Sequence, residues 1–182
     1  MVRILSVSLV VLLAFTACSR KSPAETAQGQ KASVTYGSPS KRERTIFGAL
    51  VPYGQRWRTG ANEATVIRLK EDATVGGKPL PKGDYTLWTV PGETEWQVIF
   101  NKQVGQWGTE FDPAQDVLTA TVAPTPTPAV VEKMTFTFET LPGGEALVLA
   151  WDQTQVRLPI LYGPQPTAAE PAPADSTTTT PN

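Results

Sequence analysis

Again and again along this chain, apolar side chains recur at every second position, and that period is incompatible with a helix. Thr65, Ile67 and Leu69 alternate with Val66, Arg68 and Lys70, and Tyr85, Leu87 and Thr89 alternate with Thr86, Trp88 and Val90. Trp96, Val98 and Phe100 share a face, as do Met134, Phe136 and Phe138, whose intervening residues are threonines. Leu147, Leu149 and Trp151 make another such run, and Val156, Leu158 and Ile160 follow with Arg157 outward. Successive side chains of a strand point to opposite faces, so each run predicts a strand that buries one side.

Turn-forming residues fall between the runs: Gly76-Gly77-Lys78-Pro79, Pro81-Lys82-Gly83-Asp84, Pro91-Gly92-Glu93, Pro142-Gly143-Gly144 and Asp152-Gln153. Strands of this length and spacing, with no amphipathic helix longer than two turns, predict an all-β fold: an antiparallel β-sandwich or flattened barrel in a single domain. Proline lacks the N–H that a ladder needs, so Pro124-Thr125-Pro126-Thr127-Pro128, after the Val117–Val122 run, reads as an extended connector over a sheet edge.

The flanks differ from this domain. Arg3 precedes an apolar run from Ile4 to Phe15 that is about a dozen residues long, too short for the ~20 that span a bilayer. It ends in Phe15-Thr16-Ala17-Cys18, which resembles the bacterial lipobox, with Phe15 where leucine is usual. The resemblance implies cleavage before Cys18 and a diacylglycerol thioether on its sulfur. Cys18 is the single cysteine, so no intrachain disulfide can form. Ser19 rather than Asp follows, and no acidic cluster comes after it. By resemblance to known sorting patterns, this favours the outer membrane, facing the periplasm, with cell-surface display the alternative. Residues 1–17 are therefore expected to be a lipoprotein signal peptide, 18–32 a lipidated flexible tether, 33–163 the β-sandwich, and 164–182 a disordered Pro/Ala/Thr tail.

Composition narrows the chemistry. The chain has no histidine, and its one cysteine is claimed by the lipobox, which removes the commonest bases, nucleophiles and transition-metal ligands. No catalytic residue, cofactor or metal is assigned. Residues 33–163 carry 12 basic and 14 acidic side chains with no basic stripe, which argues against nucleic acid.

The segment from Thr45 to Thr65 breaks the alternation. It gathers Gly48, Gly54, Gly60, Trp57, Arg58, Asn62 and Glu63. With Lys78–Leu87, Trp96–Lys102 and Gln106-Trp107-Gly108, it resembles a bacterial family of exported proteins known as a domain of unknown function, numbered twenty-nine eleven. The motif Trp57-Arg58-Thr59-Gly60-Ala61-Asn62-Glu63-Ala64-Thr65 carries that resemblance, which extends over roughly Val34 to Pro159. It implies an exported domain and no particular activity.

Read chemically, Arg58 offers a planar fork of donors for carboxylate or phosphate, Asn62 both donates and accepts, and Glu63 carries the opposite charge. Beside Trp57 these groups suit a sugar or small anion. Alternatively, Arg58 and Glu63 pair to pin the loop, with Trp57 packed beneath. Trp88 and Trp151 fall in alternating strands and are expected in the core, while Trp107, in a Gly-flanked turn near Lys102, is the candidate exposed aromatic. Trp57, Arg58, Asn62, Glu63, Lys102 and Trp107 thus form the candidate ligand-binding set. Expected partners are the bilayer, through acylated Cys18, and an envelope glycan, small anion or envelope protein. The alternative is a glycan-active hydrolase using two carboxylates drawn from Glu63, Asp84, Glu95, Glu110, Asp112 and Asp116.

Overall fold

The structure, a computed structural model, describes residues 21–163. The signal segment, Cys18 and the C-terminal tail lie outside the described residues. The fold is all-β, with two antiparallel sheets packed face to face. The first holds β1 (Ala24–Gln28), β2 (Ala32–Gly37), β3 (Val66–Leu69), β6 (Gly83–Val90), β7 (Trp96–Asn101) and β8 (Asp116–Val122), in that spatial order. The second runs β5 (Lys78–Leu80), β4 (Ala73–Val75), β10 (Gly144–Tyr162) and β9 (Pro124–Leu141). A single 3₁₀ turn, Pro113–Gln115, is the one helical element among the described residues.

The alternation builds the core as expected. Val34, Ile67, Leu87, Trp96 and Phe100 face inward from the first sheet, and Val75, Met134, Leu149, Trp151 and Ile160 meet them from the second. β6 is buried on both faces. Its inward residues Tyr85 and Leu87 join this core, while Trp88 turns outward into a smaller cluster with Ala64 and Ile99. The outer face of β6 and β7 is covered there because two long loops, 38–65 and 102–115, cross it: Phe111 lies 5.2 Å from Trp88 between ring centroids.

Three segments differ from the sequence reading. Ala24–Gln28, inside the stretch expected to be a tether, is β1, paired with β2 from Ala24↔Gly37 to Gln28↔Ser33. It is an edge strand of small and polar residues, held mainly by main-chain bonds, with Ala27 alone packing against the core. The turn at Asp152-Gln153 is instead a bulge within β10, a strand of 19 residues, whose pairing with β9 slips between Ala150 and Asp152 and again before Thr154. Asp152 takes a left-handed φ of 58° there. The slip moves the inward set from odd positions (Leu147, Leu149, Trp151) to even ones (Val156, Leu158, Ile160). Fully extended, β10 would span about 60 Å; it curls so far that Tyr162 N donates to Gly143 O at 2.8 Å.

The alternate prolines are part of β9 itself, which lies at the edge of its sheet. Pro124 and Pro126 oppose Val156 and Thr154. Lacking an N–H, a proline can occupy only the non-hydrogen-bonded positions of an antiparallel pair, so their ring nitrogens face the open side.

Where the two ends of β10 meet, Glu145 is 1% exposed, and its carboxylate accepts from Gln30 N (2.7 Å), Lys31 N (3.1 Å) and Tyr162 Oη (2.6 Å). The β1–β2 turn is thereby fastened to the second sheet. Burial, and then the hydrogen bond to Glu145, push the Tyr162 hydroxyl pKa well above its usual value.

Candidate functional site: an arginine-walled cavity

The Trp57–Thr65 segment is an excursion from the first sheet. Trp57 exchanges both backbone hydrogen bonds with Thr89 (2.7 and 2.9 Å), and Thr65 O accepts from Leu87 N at 2.8 Å. The chain thus flanks β6 at both ends of the motif and bulges out between them. Thr59 and Asn62 make the bends, at φ 54° and 64°, a region that costs a β-branched threonine in particular. Thr59 is 2% exposed and is held by bonds from its own hydroxyl to Trp57 O and Thr89 Oγ1, and from Thr65 Oγ1 to its carbonyl. Gly60 is needed for close approach rather than for its φ. A Cβ there would stand 2.7 Å from Thr65 Oγ1, and the next residue, Ala61, donates to Gly37 O at 3.1 Å.

Trp57 stacks on Trp151 with centroids 6.0 Å apart and planes 19° from parallel. Phe47 meets Trp57, Trp96 and Trp151 edge-on. Beside this aromatic group lies a cavity of about 290 Å³, walled by Trp57, Arg58 and Trp151 together with Arg42 and Arg44 of the preceding loop and Ser22. No Asp or Glu lines it. Arg44 is fixed by donating from Nε to Lys41 O (2.9 Å) and from Nη2 to Ser40 O (2.6 Å). The neighbouring Lys41 ion-pairs with Asp152 at the β10 bulge, 3.2 Å away, which ties this loop to the second sheet.

Two buried donors belonging to wall residues have no hydrogen-bond partner. Among the described residues, three buried side-chain nitrogen or oxygen atoms lack a hydrogen bond: Arg58 Nε, Trp151 Nε1 and Gln106 Oε1. The first two belong to wall residues, and Trp151 is 1% exposed. Buried donors are nearly always paired, and leaving one unpaired costs about 1–3 kcal/mol.

The candidate ligand set is divided by the fold. Trp57 and Arg58 reach the cavity. Asn62 does not: its Nδ2 donates to Ser22 O at 3.0 Å and its carbonyl accepts from Gly108 N at 3.1 Å, joining the N-terminal segment to the second loop. Glu63 is exposed and bridges through its backbone to Trp107. It shares neither hydrogen bond nor ion pair with Arg58, so the expected pin between them is absent. Lys102 is exposed, its backbone N–H donating to Gln115 O at 2.9 Å. Trp107 is 42% exposed, with Lys21 Nζ 5.2 Å from its ring centre. Arg42, Arg44 and Trp151 were missed as wall residues. The run Lys41-Arg42-Glu43-Arg44, dense in charge just before the motif, was the available signal for two of them.

The pin belongs to Arg56. Its Nη1 and Nη2 donate to Asp116 Oδ1 and Oδ2 at 3.1 and 2.6 Å, and its guanidinium sits 4.6 Å over the Phe111 ring. Asn101, fully buried, adds a bond from Nδ2 to Asp116 Oδ1 at 2.8 Å. Burial alone would raise the Asp116 pKa; the hydrogen bonds from Arg56 and Asn101, with the Arg56 charge, outweigh it and hold the carboxyl below its usual range.

The other acids considered for hydrolysis are held by other partners or are exposed. Asp84 is gripped by Arg68 through two 2.7 Å bonds, which lower its pKa against a smaller opposing effect of burial. Asp112 caps the 3₁₀ turn by accepting from Ala114 N at 2.9 Å, and Glu63, Glu95 and Glu110 are exposed.

Residues 19–160 match the family described as a protein of unknown function, DUF2911. The chain belongs to that family. Neither a curated protein nor a solved structure matches it. The motif that suggested the family is the excursion just described. In this chain its Trp-Arg pair supplies cavity wall, while its Thr, Gly and Asn residues shape the bends and the close approach.

Proposed function

We propose that this DUF2911 chain is a lipid-anchored, periplasm-facing binding module whose cavity takes a small anion bearing a carboxylate or phosphate, free or carried on an envelope glycan. The observation that carries the reading is a cavity wall that holds three arginines, Arg42, Arg44 and Arg58, beside Trp57 and no acid. A guanidinium is a charged donor without acceptors, so the groups that three of them suit are anionic oxygens. The volume, about 290 Å³, lies at the small end of ligand sites, which suits a monosaccharide acid or sugar phosphate better than a polymer segment. Trp57 would offer part of its indole face to a sugar ring. The Phe15-Thr16-Ala17-Cys18 sequence supports the anchor.

Titration calorimetry against carboxylated and phosphorylated sugars and simple organic anions tests the site. Arg58→Met should weaken the best binder by at least about tenfold, one bidentate charged contact being worth 1.5–3 kcal/mol. Trp151→Phe should weaken it less, and should also cost stability because it truncates a buried core side chain. If no anion binds, and Arg58→Met simply stabilises the domain, the cavity is not a site. The anchor is tested separately: Cys18→Ser should abolish labelling by a palmitate analogue, and retained label would sink that part.

A further inference from the structure

We infer that the loop carrying Val104, Trp107 and Phe111 is the face of the domain that rests on the bilayer interface. The inference depends on the lipid anchor proposed for Cys18, and its test is arranged so that the two can fail separately.

The chain enters the fold beside Trp107. Ser22 O accepts from Asn62 Nδ2 at 3.0 Å, Pro23 O accepts from Ser38 N at 2.8 Å, and Lys21 Nζ lies 5.2 Å from the centre of the Trp107 ring. The N-terminal segment is thus fastened beside Trp107 before β1 begins. Cys18 is three residues before Lys21. Three residues of chain extend at most about 11 Å, whatever their conformation. An acyl glycerol on Cys18 would therefore hold this part of the surface, and no remote part, against the membrane.

The surface held there is of the right kind. Val104, Trp107 and Phe111 are 48%, 42% and 43% exposed and lie within eight positions of one another. Exposed apolar side chains are ordinary when scattered; three on one loop, next to the attachment point, are not scattered. Indole is the side chain best suited to the headgroup region, and a lysine over it can extend its amine to lipid phosphates while its stem stays in apolar surroundings. Lys102 begins the same loop. Glu63, Glu110 and Asp112 are also nearby in the two loops, so net charge does not draw this face to anionic lipid. Insertion of apolar groups under a short tether does, and zwitterionic vesicles should suffice.

Cys18 is the only thiol, so the chain from Cys18 onward can be coupled through it to a maleimide-headgroup lipid in phosphatidylcholine vesicles, with or without natural acylation. Bromine on the acyl chains near the headgroup quenches tryptophans that reach the interface. The parent chain should be quenched, Trp107→Phe should lose most of that quenching, and Val104→Trp in the Trp107→Phe background should regain it. Equal quenching of parent and Trp107→Phe would show another tryptophan at the membrane. No quenching of verified coupled protein would show a domain standing clear of it. Either result overturns the inference while leaving the anchor untouched. Label retained on Cys18→Ser would overturn the anchor alone, because the coupled vesicles supply their own tether.

Discussion

Arg56 and Asp116 join the loop that walls the cavity to the start of β8, and a double-mutant cycle on them gives the sharpest test of how that loop is held. Their side chains are 19% and 22% exposed. Exposed ion pairs couple by about 0–1 kcal/mol, and breaking a fully buried pair costs about 3–5 kcal/mol. Two parallel bonds at this intermediate burial give an expected coupling of about 2 kcal/mol. Arg56→Ala should cost about 2–3 kcal/mol, including its stacking on Phe111. Asp116→Ala should cost about 3 kcal/mol, because Asn101 also loses an acceptor. The double mutant should then be about 2 kcal/mol more stable than the sum predicts. Urea melts of the four proteins measure this directly. The sign with pH follows from the lowered Asp116 pKa. The pair's contribution is complete above the unfolded carboxyl value of about 3.9 and is lost as pH falls through the lower folded value. The gap between parent and Arg56→Ala should be flat from pH 5 to 8 and narrow only in stronger acid. Coupling under about 0.5 kcal/mol, or a gap indifferent to acid, would refute the assignment of the pin.

Gly108→Ala would place a Cβ 2.1 Å from Arg58 Cδ and 2.4 Å from the backbone oxygen of Asn62, so the loops must part; an expected loss of about 1–3 kcal/mol, with weaker anion binding, is read by melting and calorimetry. An unchanged melt would mean that Arg58 does not lie across this glycine. A chain beginning at Ser33 lacks β1 and both backbone donors to Glu145, leaving a buried carboxylate with Tyr162 alone; it should be at least about 3 kcal/mol less stable than one beginning at Lys21, and equal urea midpoints would deny β1 a structural role.

Strands with one buried face were legible because a period of two leaves a mark in the sequence. β1 was not: Ala24-Glu25-Thr26-Ala27-Gln28 has no large apolar residue, and an edge strand held by main-chain bonds needs none. The β10 bulge was half legible. The change of parity from Trp151 to Val156 requires a one-residue slip, but a slip and a turn look alike in one dimension, and Asp152 favours either. At the site, Trp57 and Arg58 stood out because they interrupt the alternation. Their true supports did not, since Arg56 finds its partner 60 residues on and the cavity's remaining wall includes Trp151 of β10, Arg42 and Arg44. Proximity in sequence suggested Glu63 as the counter-charge; the bends at Thr59 and Asn62 carry it to the outer surface instead.

The prolines of β9 matter most when copies of the chain crowd together. A row of free amide donors along a sheet edge is a template onto which any neighbour can zip, and the proposed lipid anchor, by confining copies to a surface, would raise the frequency of side-by-side encounters. Pro124 and Pro126 take the donors out of that row without disturbing the partner side, since the intervening Thr125 still pairs with Gln155. Further along, the same edge is occupied internally, with Met134 N donating to Pro39 O and Lys41 N to Glu132 O. Replacing the prolines with valines would return two amide donors to the edge and leave it open to pairing with the edge of a second copy.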